Sequence, residues 1–119
     1  MPDPEPHIEK AKRNLEFARK GIKGDYVEWV VIAEFYSAIH YIEAKLARLG
    51  KHSESHVQRY QMMLDDSKNF TKDCLTNYKS LEALSRKARY TVDKIDDNEA
   101  SQAQECFETI CVELGYPYT

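Results

Sequence analysis

Apolar residues recur along the chain at intervals of three and four, the period of a helix with one buried face. The first stripe begins just after Asp3–Pro6, where proline suits the first turn of a helix, and it stops near Gly21 and Gly24. Its members are Ile8, Ala11, Leu15, Ala18 and Ile22. The pattern therefore predicts a first helix that places one narrow face against a core.

The most apolar segment runs from Asp25 to Leu49 and carries two neighbouring stripes. Asp25 and Glu28 have the spacing of a capping box at its start, and Gly50 follows its end. One stripe comprises Ile32, Phe35, Ile39, Ile42, Leu46 and Leu49, and the other comprises Trp29, Ala33, Tyr36, His40 and Ala44. A helix that is apolar on two faces is buried between neighbours or at a subunit interface. We predict that this segment is the central helix.

Three further helices are predicted downstream. Ser53 is the predicted N-cap of a short third helix, and residues 65–69 form the break after it. Asp96 and Glu99 have the spacing of an acidic capping pair before the last helix, which Gly115 stops. The third helix carries Val57, Tyr60, Met63 and Leu64; the fourth carries Cys74, Leu75, Tyr78, Leu81, Leu84, Ser85 and Ala88; the last carries Ala103, Phe107, Ile110, Cys111 and Leu114.

The predicted fold is all-α: an up-and-down bundle of four long helices with one short extra helix. No segment shows the two-residue period of a strand, and no proline occurs between Pro6 and Pro117 to interrupt the helices. The 119 residues suit a single domain, 1–119, with its core at about 8–114.

Composition limits the possible functions. Hydrophobic residues make up 42% and charged residues 31%, and the net charge of −3 argues against a general nucleic-acid binder. The charge is nevertheless uneven, because Arg86, Lys87, Arg89 and Lys94 precede the segment 95–119, which has six acidic residues and no Lys or Arg. The basic helix end is either neutralised by its acidic neighbours or forms a small phosphate site.

The three cysteines suggest no disulfide framework, and the polar N-terminus does not resemble a signal peptide. No run of about 18 apolar residues predicts a membrane span. We therefore expect a cytoplasmic protein without a membrane segment and without a cofactor.

The histidines and arginines are the candidate functional residues. His52 and His56 are four apart, but we interpret them as surface residues near a helix start and expect no metal site. His40 is either a core histidine satisfied by a hydrogen bond or a half-buried base. Arg86 and Arg89 are either partners of the helix dipole or a fork for a phosphate.

Two segments resemble the HEPN family. The first segment is similar to the second-helix signature of small prokaryotic HEPN proteins. It comprises Phe35-Tyr36-Ser37-Ala38-Ile39-His40, followed by Ala44, Leu46 and Gly50 and then by His52 and His56. The segment 78–90 resembles the fourth helix of the family, which ends in an arginine, an alanine and a tyrosine. Arg86, Ala88 and Tyr90 match these three, with the arginine one position closer to the alanine.

The resemblance implies a helical bundle that is commonly dimeric. Active members are metal-independent ribonucleases, often toxins paired with a nucleotidyltransferase or an antitoxin, and carry an arginine followed after four to six residues by a histidine. Here no histidine follows Arg86 or Arg89, Tyr90 offers only a phenol, which is a poor base at neutral pH, and Arg48 and His52 are separated by only three residues.

Three functional hypotheses follow. In the first, a non-catalytic module binds a nucleotide, RNA or a partner protein in a dimer cleft formed by Arg86, Arg89, Tyr90 and Tyr36, with His40 as a further candidate. In the second, a divergent ribonuclease toxin uses Arg86 and His40, or a histidine of a second subunit. In the third, a homodimeric scaffold uses the second helix as its interface.

Overall fold

The computed structural model describes residues 3–21 and 26–118, with the backbone alone described at positions 20 and 21. Within these ranges the chain forms five α-helices and no strand, which confirms the predicted all-α class. The helices are α1 Glu5–Glu16, α2 Val27–Arg48, α3 His56–Leu64, α4 Lys72–Tyr90 and α5 Asp97–Leu114, and a π-helical turn, Phe17–Gly21, extends α1.

The four long helices run alternately up and down. Helix α1 lies antiparallel to α2, since His7 meets His40 and Arg19 meets Glu34. Helices α4 and α5 are also antiparallel, with Thr71 beside Glu113 and Lys87 beside Glu99. The short α3 lies on the flank of α4, where the rings of Tyr60 and Tyr78 stack with centroids 6.3 Å apart. The predicted bundle with one short extra helix is confirmed.

Helix α2 is the central helix, as predicted. It packs on α1, α4 and α5, and large side chains on opposite sides of it, such as Phe35, Tyr41 and Leu46, are fully buried. Its two apolar faces are thus accounted for by helices of the same chain. The predicted stripes of α4 and α5 are buried, except that Ala88 is half-buried, and Glu82 and Cys106 are buried in addition.

The helix ends agree with local capping rules, with one shift in register. Asp96 and Glu99 form the predicted capping box, and Gly115 ends α5 at φ +80°, a left-handed conformation that favours glycine. Thr71 caps α4. The predicted N-cap Ser53 is wrong, because Ser55 caps α3 by accepting from the Gln58 amide, whereas Ser53 is buried against Glu43.

Several apolar residues that were assigned to buried stripes are exposed. Trp29 is 52% exposed near the start of α2, and Leu49 is exposed at its end. Val57 is 81% exposed and Leu64 is exposed as well, because α3 covers the bundle with only one narrow face, which includes Met63. A short flanking helix has one neighbouring surface, so its other apolar residues remain in solvent.

The predictions for Ile22, Gly24 and Asp25 lie outside the described residues. Helix α2 begins at Val27 after Tyr26, whose side chain makes no capping hydrogen bond. No helix in the described ranges has both the length and the apolar character needed to cross a bilayer.

Candidate functional site

A half-exposed stripe of α2 is the base of the candidate site. Ile32, Tyr36 and His40 are spaced four residues apart and are partly accessible to solvent. Helix α1 borders this stripe through His7, α4 borders it through Arg89, and α3 crosses near its middle. Side chains from four helices therefore meet along one strip of the bundle surface.

Arg89, in the last turn of α4, is held from several sides. Its Nη1 donates to the Tyr36 hydroxyl at 3.1 Å, and its Nε donates to the Ser85 carbonyl at 3.3 Å. Its guanidinium carbon lies 5.4, 5.7 and 4.9 Å from the ring centroids of Phe35, Tyr36 and Tyr90. No carboxylate among residues 3–21 and 26–118 forms an ion pair with it. Arg89 is thus an oriented cation without an acidic partner.

Arg86 lies one turn earlier on α4. Its side chain is 67% exposed, and its Nη2 is 4.0 Å from Glu82 Oε1. Glu82 also accepts a hydrogen bond from Lys79 at 3.3 Å. Since an exposed ion pair of this length contributes little energy, the Arg86 guanidinium is free to exchange partners.

His56, the first residue of α3, lies beside these arginines. Its ring centroid is 5.8 Å from that of Phe35, and its Nδ1 is 2.8 Å from Arg59 Nη1. Because arginine only donates, Nδ1 is the acceptor and the ring is neutral. Burial, followed by the positive charge of Arg59, lowers the pKa of His56, and Arg86 and Arg89 contribute to the same shift. We call Tyr36, His56, Arg86 and Arg89 the arginine cluster.

A buried ion pair connects α3 to α2. Arg59 Nε donates to Glu43 Oε1 at 2.8 Å, both side chains are almost inaccessible, and the Ser53 hydroxyl also donates to Glu43. The arrangement satisfies a charge that would be costly to bury alone. It also fixes the loop between α2 and α3 against the bundle.

A second group of residues, here called the histidine cluster, lies farther along α2: His7, His40, Glu43 and His52. The Nδ1 atoms of His7 and His40 are 3.0 Å apart, and their rings stack with centroids 5.3 Å apart. Burial, with a smaller contribution from His7, lowers the pKa of His40 to about 4. One potential ligand atom from each of His7, Glu43 and His52 lies within 4.8 Å of the others.

The structure places most of the predicted site residues together. Arg89 contacts both Tyr36 and Tyr90, and Arg86 lies one turn away on α4. His40, in contrast, pairs with His7 of α1 and not with the arginines. Arg48 and His52 form no such pair either, since the Arg48 guanidinium lies over the ring of Tyr116.

His56 lies at the surface at the start of α3, as predicted, but its position beside Arg86 and Arg89 was not predicted from the sequence. The available signal was the spacing of His56 and Arg59, which are three residues apart and so lie on one face of a helix. Cys106 and Cys111 are buried with raised pKa values, in agreement with their interpretation as small apolar residues.

Comparison with known families finds one family model that matches the chain. The family model of the HEPN domain matches residues 5–114, which is nearly the whole chain. The chain therefore belongs to the HEPN family, as the two resembling segments indicated. A search of curated proteins finds no match.

Proposed function

We propose that this HEPN domain binds a phosphate group of a nucleotide or of RNA at the arginine cluster and does not cleave it. The carrying observation is Arg89, whose guanidinium is oriented by Tyr36 and Ser85 and has no carboxylate partner in the described chain. Guanidinium groups match the geometry of phosphate oxygens and form charge-assisted hydrogen bonds with them. Arg86 is close enough to supply a second such group.

The local charge supports an anionic ligand. The pKa of His56 is lowered by burial and by three nearby guanidinium groups, those of Arg59, Arg86 and Arg89. Part of their positive charge is neutralised by Glu43 and Glu82. The positive charge that remains is concentrated at this strip of a protein whose net charge is −3. Tyr90 is 72% exposed next to Arg89, and its ring offers a surface on which a base can stack.

The surroundings of His56 argue against catalysis. A general base must accept a proton, but the Nδ1 of His56 already accepts a hydrogen bond from Arg59. The other nitrogen then carries a hydrogen and can only donate. The neutral phenol of a tyrosine such as Tyr90 is a weak base at neutral pH.

The test is a pair of titrations in EDTA, one with a fluorescein-labelled single-stranded oligoribonucleotide and one with ATP. Arg89→Ala is expected to weaken binding about 10-fold or more, because a hydrogen bond to a charged group contributes about 1.5–3 kcal/mol. The double variant with Arg86→Ala should bind still more weakly. The salt dependence of RNA binding should also decrease.

Arg13→Ala is the matched control, since it removes the same charge from an exposed position near the end of α1. Thermal melts of all variants show whether each is folded. The proposal is wrong if the wild type binds neither probe, or if the double variant binds both as tightly as the wild type.

A divergent ribonuclease is the second candidate, and the proximity of His56 to Arg86 and Arg89 favours it. In that case His56 would exchange its bond to Arg59 for a substrate hydroxyl. Incubation of the same RNA with purified protein in EDTA distinguishes the two functions. Cleavage that is lost in His56→Ala but kept in His40→Ala would establish the enzyme, whereas intact RNA is the result that we expect.

We also propose that the domain forms a homodimer through the end of the bundle where α2 begins and α4 ends. That end has a pocket of about 620 Å³ whose apolar lining includes Val27, Val92 and Ile95. Trp29 and Val92 are exposed there, although α2 is otherwise buried within the chain. A nucleotidyltransferase or antitoxin partner remains a further proposal, which the family resemblance alone supports.

A further inference from the structure

Three side chains that bind metal ions in other proteins meet at the end of the bundle away from the proposed dimer surface. His7 comes from the first turns of α1, Glu43 from the last turns of α2, and His52 from the loop before α3. These residues are distant in sequence, and yet one ligand atom of each lies within 4.8 Å of the other two. Glu43 is buried, His7 is half-buried and His52 is exposed, so the group opens to solvent on one side.

Neighbouring side chains already hold two of the three residues in place. The His7 imidazole stacks on that of His40, and their Nδ1 atoms are 3.0 Å apart, a distance that fits an N–H···N hydrogen bond. When His7 donates this bond from its Nδ1–H and the Nδ1 of His40 accepts it, the Nε2 of His7 keeps the lone pair that a metal ion requires. Glu43 Oε1 accepts from Arg59 and Ser53, whereas Oε2 has only a 3.5 Å contact with the Ser53 amide.

We propose that His7, Glu43 and His52 form a binding site for a divalent transition-metal ion of the zinc class. Two imidazoles and one carboxylate are a donor set that Zn²⁺ accepts in proteins, with the fourth position left to solvent. Arg59 offsets part of the charge of Glu43, which disfavours the hard cations Ca²⁺ and Mg²⁺ that depend on several carboxylates. His40 acts as a positioning residue, because it orients the ring of His7.

The remaining spacing requires only a local adjustment. Tetrahedral ligation at about 2.0–2.1 Å places ligand atoms roughly 3.4 Å from one another, and the present ligand atoms lie within 4.8 Å of one another. His52 is the residue that can close this gap, since it is exposed and lies in an irregular segment. His7 and Glu43 need to move least, because packing and hydrogen bonds already fix them.

The experiment titrates Co²⁺ into chelator-treated full-length protein that carries no histidine tag, followed by visible absorption. Four-coordinate Co²⁺ absorbs far more strongly than the hexaaqua ion, so the spectrum reports the geometry of the site. We expect one ion per chain, displacement of Co²⁺ by Zn²⁺, and a rise in melting temperature with added Zn²⁺. His7→Ala and His52→Ala should each weaken binding by about 100-fold or more, beyond the 10–100-fold typical of an outer residue.

Glu54→Gln is the matched control, because it removes an exposed carboxylate from the same loop that is not one of the three proposed ligands. The apo melting temperature of each variant shows that it is folded, and His52, being exposed, is the substitution least able to disturb the fold. The site is refuted if the wild type gives only the weak spectrum of six-coordinate cobalt. It is equally refuted if the affinity is the same in His52→Ala as in the wild type, or if Glu54→Gln loses binding to the same degree.

Discussion

Two glutamates of α2, Glu34 and Glu43, are buried, and each meets an arginine from another segment. Arg19 donates to Glu34 at 3.1 Å, but the other carboxylate oxygen of Glu34 has no partner in the described structure. Burial, opposed by Arg19 and reinforced by Glu108, raises the pKa of Glu34 from 4.5 to about 6. Glu43, in contrast, has hydrogen-bond donors on both oxygens. Glu34 therefore makes the free energy of unfolding depend on pH.

Glu34→Gln should change the pH dependence of stability in a defined direction. Because the pKa of Glu34 is higher in the folded state, its contribution to stability is present below about pH 4.5 and is lost as the pH rises through about 6. Gln cannot titrate, so its advantage over Glu in free energy of unfolding should grow by about 2 kcal/mol between about pH 4 and about pH 7. Urea denaturation across this range measures the difference.

The same substitution at exposed Glu9 is the control for the loss of one negative charge. A parallel pH dependence for wild type and Glu34→Gln would contradict the raised pKa. The difference in free energy of unfolding between wild type and Glu34→Gln should change only between the unfolded and folded pKa values of Glu34 and stay constant outside that range.

At the scale of elements, α3 is the helix with the least support. It contacts the bundle through Met63, the ring of Tyr60 and the ion pair between Arg59 and Glu43. Helices this short are marginal without tertiary contacts, so their position depends on such anchors. The position of α3 in turn sets that of His56 and of the loop that carries Ser53.

Arg59→Met should therefore loosen α3 and destabilise the domain by about 3–5 kcal/mol, because Glu43 would remain buried without its cation. The double variant with Glu43→Gln should recover much of that loss, since no buried charge remains. Chemical denaturation measures both values, and amide exchange in residues 56–64 reports the local opening. A loss below about 1 kcal/mol would show that the pair is exposed to solvent.

At the scale of the whole molecule, four long helices bury their apolar stripes against one another, and the apolar side chains that stay exposed include two at the end where α2 begins and α4 ends. Val92 is fully exposed and Trp29 is half-exposed at that end. Exposed aromatic and aliphatic side chains that occur together are typical of an interaction surface. This distribution underlies the proposed homodimer and places its surface at the opposite end of the bundle from the proposed metal site.

Light scattering coupled to size-exclusion chromatography at micromolar concentration should give twice the mass of one chain. Val92→Asp places a charge in the proposed contact and should shift the protein toward the monomer. Its melting temperature should fall only by the amount that loss of the dimer contacts causes. Val57→Asp, at an exposed position on α3, is the control and should leave the mass unchanged. A wild-type monomer would refute the dimer.

The helical period, the capping residues and the absence of internal proline determined the five helices and the identity of the central one. These signals are local, since the hydrogen bonds of a helix join residues four apart and caps act within one turn. For the same reason the pair Asp96 and Glu99 and the stop at Gly115 were predictable from sequence. The pairing of Arg89 with Tyr36 was predictable only as far as both belong to segments that resemble HEPN helices.

Only the tertiary structure decided which polar side chains meet. His7 and His40 are 33 positions apart, and Arg89 and Tyr36 are 53 apart, so no local pattern relates them. Ser55 rather than Ser53 caps α3, and the Ser53 hydroxyl instead donates to buried Glu43. This long-range contact could not be predicted from local capping rules. The positions of His56 beside the arginines and of His52 beside His7 and Glu43 depend on how α3 docks, because long-range packing sets that geometry.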